Sequence, residues 1–319
     1  MKSKDLVSGL PNIKFQNNRL CDACVKGKQI RTSFKSKDVV STNKALDVLH
    51  IDLFGPSRTA SLAGNYYALV IVDDFSRYTW TLFLASKNDA YKAFKNLAKV
   101  LHNENENENS IKQIRSDHGG EFQNANFDRF CEKHGIIHSY YAPRTPQQNG
   151  VVERKNRSLK ELARTMLNES NLPKYFWAYA IYTPSYVLNK TLIRPILKKA
   201  PYKLYRGRKP SISHLRVFGC KCFILNNGKD NLGKFDLKSD EGMHIGCAIN
   251  GHAYRVYNKR LLTVEESMHV VFGESDCNVP KSVLDEPDVD DLRTILQKNQ
   301  SIDFNATDTC VVKESIVNA

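Results

Sequence analysis

Apolar residues alternate with polar ones from Val48 to Phe54, placing His50 and Asp52 on one side of a predicted strand that Gly55-Pro56 ends. Two further β-rich runs, Tyr66 to Val72 and Tyr78 to Leu84, are joined across Asp73-Asp74-Phe75-Ser76-Arg77, and a three-stranded meander is the simplest arrangement. From Asn88 to Leu101 the spacing of Tyr91, Phe94, Leu97, Ala98 and Leu101 becomes helical, stopping at the polar Asn/Glu stretch Asn103 to Asn109. A short strand from Ile111 to Arg115, a helix near Asn124 to Lys133 and a strand near Ile136 to Tyr140 follow. This order predicts an α/β fold with a mixed sheet and helices packed on it.

The segment Tyr141 to Gly150 holds two prolines and a glycine and reads as a mobile loop. Thr145 as N-cap, Pro146 at the first helical position and Gln148 at the third make a capping box, with Asn149 an alternative cap. Either start puts Glu153 early in a long helix running to about Asn168. On that helix Val152, Leu159, Leu162, Ala163 and Met166 share one side, while Glu153, Arg157, Lys160 and Arg164 share another. Taken alone, such a charged stripe is more often an ordinary exposed face with Glu-to-Arg pairs. The aromatic stretch Tyr175 to Leu188 predicts another helix, which Pro184 should break near Thr183.

Residues 191–215 carry Pro195, Pro201 and Pro210 among Lys198, Lys199, Lys203, Arg206, Arg208 and Lys209 and read as a basic linker. Short β-like runs then follow at Arg216 to Leu225, His244 to Ile249, Ala253 to Tyr257, Leu261 to Thr263 and Met268 to Phe272. They predict a small barrel-like domain over 216–275. The expected organisation is thus a polar, basic arm over 1–45, a core over 46–190, the linker, the β domain, and a tail over 276–319.

Charge narrows the choice of partner. The chain has 47 Lys+Arg against 34 Asp+Glu, a formal +13. From Asp276 onward nine acids face four bases, a net −5, so the first 275 residues carry +18. Such a field draws in a polyanion. A hydrophobic content of 41% suffices for real cores, and no run approaches the ~18 apolar residues of a membrane span. Without an apolar signal core at Met1-Lys2-Ser3-Lys4-Asp5 the expected setting is intracellular, with no membrane partner. The eight cysteines are then thiols or metal ligands rather than disulfides. Cys220 and Cys222 read as packing residues.

Three carboxylates carry the candidate chemistry. Asp52 emerges from the first strand, Asp117 follows the strand ending at Arg115 and precedes Gly119-Gly120, and Glu153 opens the long helix. Sixty-four residues separate the first two and 35 separate the last two. Three acids on different elements can hold two divalent cations, about 3.5–4 Å apart, that act on a phosphodiester. Asp73 and Asp74 compete for that role, but their sequence context assigns them to turn chemistry. Glu121 should face solvent or bind the first turn of a helix.

Several long motifs give these acids a family context: Cys21-Asp22-Ala23-Cys24, Val72-Asp73-Asp74-Phe75-Ser76-Arg77, Arg115-Ser116-Asp117-His118-Gly119-Gly120-Glu121-Phe122, Ala142 to Arg154, and Arg216-Val217-Phe218-Gly219-Cys220. Together they resemble the integrase of copia-type long-terminal-repeat retrotransposons, over roughly Leu10 to Asp276. The resemblance implies a ribonuclease-H-like sheet followed by a small all-β, SH3-like barrel. It implies metal-dependent trimming of an element's DNA end, then attack of the new 3′-hydroxyl on target DNA. Asp52, Asp117 and Glu153 would be both catalytic and metal-binding. Mg²⁺, or Mn²⁺ in its place, fits their all-oxygen donor set. Gln148, Asn149, Arg154, Arg157, Lys160 and Arg164 are the candidate contacts to double-stranded DNA, and an active protein would be a nuclear homo-oligomer.

Cys21 and Cys24 resemble the second half of the family's His-His-Cys-Cys zinc module. No histidine precedes His50, so the chain is expected to begin inside that module and not to bind zinc. Pro184 stands where the family continues a helix with alanine, and Cys247 stands where an aromatic residue is common. With the acidic tail, these departures raise a second expectation: a degenerate fragment that keeps the fold and binds nucleic acid without catalysis. A cellular ribonuclease-H-like nuclease ranks last, because it would lack the second β domain and the Gln147-Gln148-Asn149-Gly150 loop.

Overall fold

The computed structural model describes residues 42–104, 110–141, 149–226, 228, 232–248 and 253–274. Its first sheet opens with β1 (Val48–Phe54), β2 (Tyr67–Asp73) and β3 (Thr79–Leu84), the expected meander. Helix α1 (Ala90–Glu104), β4 (Gln113–Ser116), α2 (Ala125–His134) and β5 (Ile137–Tyr140) follow. The strand order is β3-β2-β1-β4-β5, antiparallel across the meander and parallel from β1 through β4 to β5. This is the ribonuclease-H-like mixed sheet with flanking helices that the sequence predicts.

Local chemistry fixes the element ends. Ser86 and Asp89 form a capping box on the 3-10 turn Lys87–Asp89 that leads into α1. Asn124 caps α2 by accepting from the Phe127 amide at 3.0 Å, and Gly135 closes that helix in the left-handed region at φ 63°. The long helix α3 spans Gly150–Glu169 with Asn149 at its N-cap position, where the side chain makes no capping bond. Thr145, Pro146 and Gln148, the expected capping box, lie outside the described residues.

Alternation in β1 sorts the two faces of the sheet. Leu49 and Ile51 join Leu69, Ile71, Trp80 and Leu82 beneath α1 and α2, where Phe94, Leu97, Phe127 and Phe130 complete one core. His50 and Asp52 point the other way, opposite Val72 and Val70 of β2. On that side Val152, Leu159 and Ala163 of α3 pack with the apolar helix α4 (Trp177–Thr191). Leu162, expected on the packed side of α3, is instead 36% exposed.

Helix α4 corrects the expected break at Pro184, because the helix runs through it unbroken. Anchors on both sides hold it. Thr183 Oγ1 donates to the Ile245 carbonyl at 3.2 Å, and Asn189 exchanges bonds of 2.8 and 2.9 Å with the backbone of Thr79. Burial on nearly every side keeps the helix together where the proline removes one amide donor.

Residues 191–215 also contain more structure than a linker. Arg194 and Lys199 form a β-bridge, and α5 (Pro201–Arg206) follows it. Tyr205 packs on Tyr78 and Trp80 with ring centroids 4.7 and 5.2 Å apart, and Arg206 binds the buried Glu104 carboxylate at 3.0 Å. Aromatic anchors in a basic background lend the segment this order.

The second sheet comprises β6 (Lys221–Leu225), β7 (Ser239–Cys247), β8 (Tyr254–Asn258), β9 (Thr263–Ser267) and β10 (Val270–Gly273). It is antiparallel throughout, in the order β10-β6-β7-β8-β9. Its inner residues Met243, Ile245, Tyr257 and Val264 belong to the same buried cluster as α3 and α4. Gly219, at φ +79°, lies so close to Ser170 at the end of α3 that an added Cβ would fall 2.1 Å from the serine Cβ. Cys220 and Cys222 are buried, as packing residues should be. No helix among the described residues is long and apolar enough to cross a membrane.

Candidate active site

The parallel pairing of β1 with β4 matches His50 to Arg115, and the same register carried two residues on aligns Asp52 with Asp117. Two acids thus leave neighbouring strands side by side. Asp117 is held in a turn by the Gly119 amide, which donates to its Oδ1 at 3.1 Å. Glu153 lies in the first turn of α3 with its side chain exposed.

Asn156, one helical turn beyond Glu153, ties that helix to β1. Its Nδ2 donates to Asp52 Oδ2 at 2.7 Å, while its own Oδ1 is buried without a hydrogen-bond partner. Burial, then the charge of Asp117 and more weakly that of Glu153, raises the Asp52 carboxyl to about 6, against the lowering effect of Asn156. The three predicted acids therefore share one electrostatic site. Among the described residues no three His, Cys, Asp or Glu side chains are gathered closely enough to grip one ion together.

His50, on the same face as Asp52, carries a second network. Its Nδ1 lies 2.7 Å from the Tyr141 hydroxyl and its Nε2 3.1 Å from Asp74 Oδ1. Asp74 also accepts from Thr42 at 3.1 Å and from Arg77 at 2.8 Å. Asp73 accepts from the Leu46 and Ser76 amides at 2.8 and 2.7 Å. Both carboxylates are spent on turn and framework contacts, as the sequence predicts. Tyr141 is the last described residue before the 142–148 segment, so His50 anchors the near end of that connection. Burial drives the Tyr141 hydroxyl pKa upward and keeps it protonated.

Arg157, Lys160 and Arg164 all lie exposed along the Glu153 side of α3, and Lys160 Nζ sits 5.4 Å over the Phe54 ring at the end of β1. Arg154 is exposed on a different flank, whereas Asn149 is turned inward at 7% exposure with Oδ1 unpartnered. Gln148, Cys21 and Cys24 fall outside the described residues. Sequence reasoning missed Asn156 and the His50–Tyr141 pair. The available signals were positional: Asn156 is three residues past Glu153, and His50 is two before Asp52.

Known families resemble this chain over both of its sheets. The family described as Integrase core domain matches residues 42–146, and the Retroviral polymerase SH3-like domain family matches residues 220–286. The retrovirus-related Pol polyprotein from transposon TNT 1-94 of Nicotiana tabacum is 36% identical over 256 residues, covering 80% of this chain and 19% of the relative. That from transposon RE1 of Arabidopsis thaliana is 32% identical over 266 residues, covering 83% of this chain and 17% of the relative. The chain thus spans about a fifth of the length of these curated relatives. Among solved structures, the HTLV-2 integrase catalytic core domain in complex with magnesium overlaps 51% of this chain and 97% of its own, at 20% identity and a TM-score of 0.39.

Proposed function

From a chain that belongs with the integrase region of plant retrotransposon Pol polyproteins, carrying an integrase core domain and a retroviral polymerase SH3-like domain, we propose a DNA strand transferase. Its reaction has two steps. Water first attacks a phosphodiester near the end of an element's DNA and releases the 3′-oxygen as a free hydroxyl. That hydroxyl then attacks a phosphodiester of target DNA, exchanging one such bond for another without a separate energy source.

The observation that carries this reading is the placement of Asp52 and Asp117 at the paired strands β1 and β4, with Glu153 of α3 near enough for its charge, like that of Asp117, to bear on the buried Asp52 carboxyl. A cation would relieve that charge, and an all-oxygen donor set suits Mg²⁺ or Mn²⁺. Asp52 and Asp117 would flank two such ions and Glu153 would hold the second. When bound, the ions would activate the attacking oxygen and stabilise the leaving one.

The chain's own residues do the rest. Asn156 fixes the rotamer of Asp52 through its Nδ2 bond. Arg157, Lys160 and Arg164 offset the charge of the incoming backbone along the exposed side of α3, positioning the strand without reading its sequence. His50 and Tyr141 hold the near end of the connection between β5 and α3. Double-stranded DNA is the proposed partner, with a homo-oligomer as the working assembly.

The deciding experiment is a strand-transfer and nicking assay on labelled duplex DNA with Mg²⁺ and with Mn²⁺, comparing the protein with Glu153→Gln. Metal-dependent joining that disappears in the variant is the expected result. DNA binding by both proteins without cutting by either would replace this reading with that of a catalytically silent nucleic-acid-binding protein.

A further inference from the structure

Asp117 stands between two residues that strand β5 grips from the same side. Before it, Ser116 is fully buried at the end of β4, opposite Tyr140 in the parallel register of β4 with β5. Ser116 Oγ lies 2.9 Å from the Asp117 carbonyl oxygen and 2.9 Å from His138 Nε2. After it, the His118 ring stacks on Tyr140, with centroids 5.0 Å apart and planes 19° apart. Tyr140 in turn leans on His138 at 4.3 Å, and His138 on Phe127 of α2 at 4.9 Å.

The hydrogen bonds in this group have a direction. Ser116 owns one hydroxyl proton, which it donates to the Asp117 carbonyl, so His138 must present Nε2–H to the serine oxygen. His138 Nδ1 is then the bare ring nitrogen, and it is buried with no hydrogen-bond partner. Burial, against the opposing pull of Asp128, lowers the His138 pKa and keeps the ring neutral. Ser116 shares its side of β4 with Ile114, which packs beneath α1 and α2, so the contact reaches Asp117 from behind the sheet. In front, the Asp117 side chain is exposed and accepts from the Gly119 amide at 3.1 Å.

We propose that His138 and Tyr140 are positioning residues, a clamp on both sequence neighbours of Asp117 that fixes the direction in which its carboxylate leaves the sheet. This inference rests on the metal-dependent reading above and adds to it two residues that need touch neither metal nor DNA. A metal ligand serves only in a fixed orientation, and the partners that fix it commonly weigh tenfold or more in metal affinity. The stack on His118 limits rotation of the turn past Asp117, while the Ser116 bond holds the backbone just before it.

The test measures free Mn²⁺ by electron paramagnetic resonance in titrations of the full chain without DNA. Binding that Asp117→Asn abolishes defines the site. His138→Leu should weaken that binding about tenfold, whereas His138→Gln, which can still offer an N–H to Ser116, should stay within about threefold of the wild type. Tyr140→Leu, which unstacks His118 and leaves His138 on Ser116, should fall between them. Circular dichroism checks each fold, and Tyr140→Leu decides if His138→Leu does not fold. A histidine with a packing role alone would lower Tm in His138→Leu and His138→Gln alike and leave Mn²⁺ affinity untouched. Wild-type affinity in His138→Leu or in Tyr140→Leu, or equal losses in His138→Leu and His138→Gln, overturns the clamp and leaves the metal reading standing. Wild-type binding that does not depend on Asp117 sinks the metal reading itself, and the clamp with it.

Discussion

Asn156 reaches across 104 positions of sequence to place its Nδ2 2.7 Å from Asp52 Oδ2, the tie between the long helix and the first strand. Asn156→Leu removes that donor, so the Asp52 carboxyl should rise further above about 6 and lose its fixed orientation. Strand transfer at neutral pH should fall about tenfold, the usual weight of one hydrogen bond to a charged group. Unchanged activity with an intact fold would remove Asn156 from the site.

Asp117 beside Asp52 costs the metal-free protein stability, because burial and the neighbouring charge both disfavour the ionised form of Asp52. Asp117→Asn should therefore raise the Tm of the EDTA-treated protein by roughly 2–4 °C, for about 1 kcal/mol of relieved repulsion, while abolishing joining. Added Mg²⁺ should raise the wild-type Tm more than that of the variant. Equal responses to Mg²⁺ in differential scanning calorimetry would mean that Asp117 holds no ion.

Tyr141 and His50 meet at 2.7 Å just before the connection to α3. Tyr141→Phe keeps the ring and removes only the hydroxyl. It should cost about 1 kcal/mol in urea unfolding and reduce strand transfer more than DNA affinity. A loss confined to stability would make the pair a framework contact alone.

His244 in β7 is almost fully buried between the rings of Tyr254 and Phe272, and burial, with Arg216 nearby, lowers its pKa from 6.5 to about 4. Between those values the unfolded chain takes up a proton that the folded chain refuses, so stability falls as pH drops from about 6.5 towards 4. The full effect is about 3 kcal/mol, from a gap of about 2.5 pH units. Urea midpoints at pH 7, 5.5 and 4 should decline more steeply for the wild type than for His244→Phe, and parallel slopes would contradict the assignment.

The sheet was legible because its strands carry their environment in their sequence. Alternation in β1 separates Leu49 and Ile51 from His50 and Asp52, and the unbroken apolar run of β2 announces a strand buried on both faces. The three acids stood out only in combination, through their spacing of 64 and 35 residues and the motifs around them, because each alone looks like an ordinary surface or turn carboxylate. Asn156 was hidden because a single polar residue on a helix looks the same whether it meets water or a buried carboxylate. Pro184 misled for a related reason. Local preference favours a break, and only tertiary contacts such as Asn189 with Thr79 show why the helix continues. Arg194 lay unnoticed among the surrounding bases, since nothing in its neighbours indicates that it alone is buried.

The shared cluster of Val152, Leu159, Tyr179, Ile245 and Tyr257, with the close approach of Gly219 to Ser170, makes the two sheets depend on each other for burial. A lesion in the second sheet does not merely remove an accessory module. It bares the outer side of α4 and removes packing behind the helix that carries Glu153, so the position of that acid depends on residues far from it in the chain. Cutting the chain between the two sheets would expose Tyr179 and its apolar neighbours on α4 to water instead of freeing a self-contained first sheet.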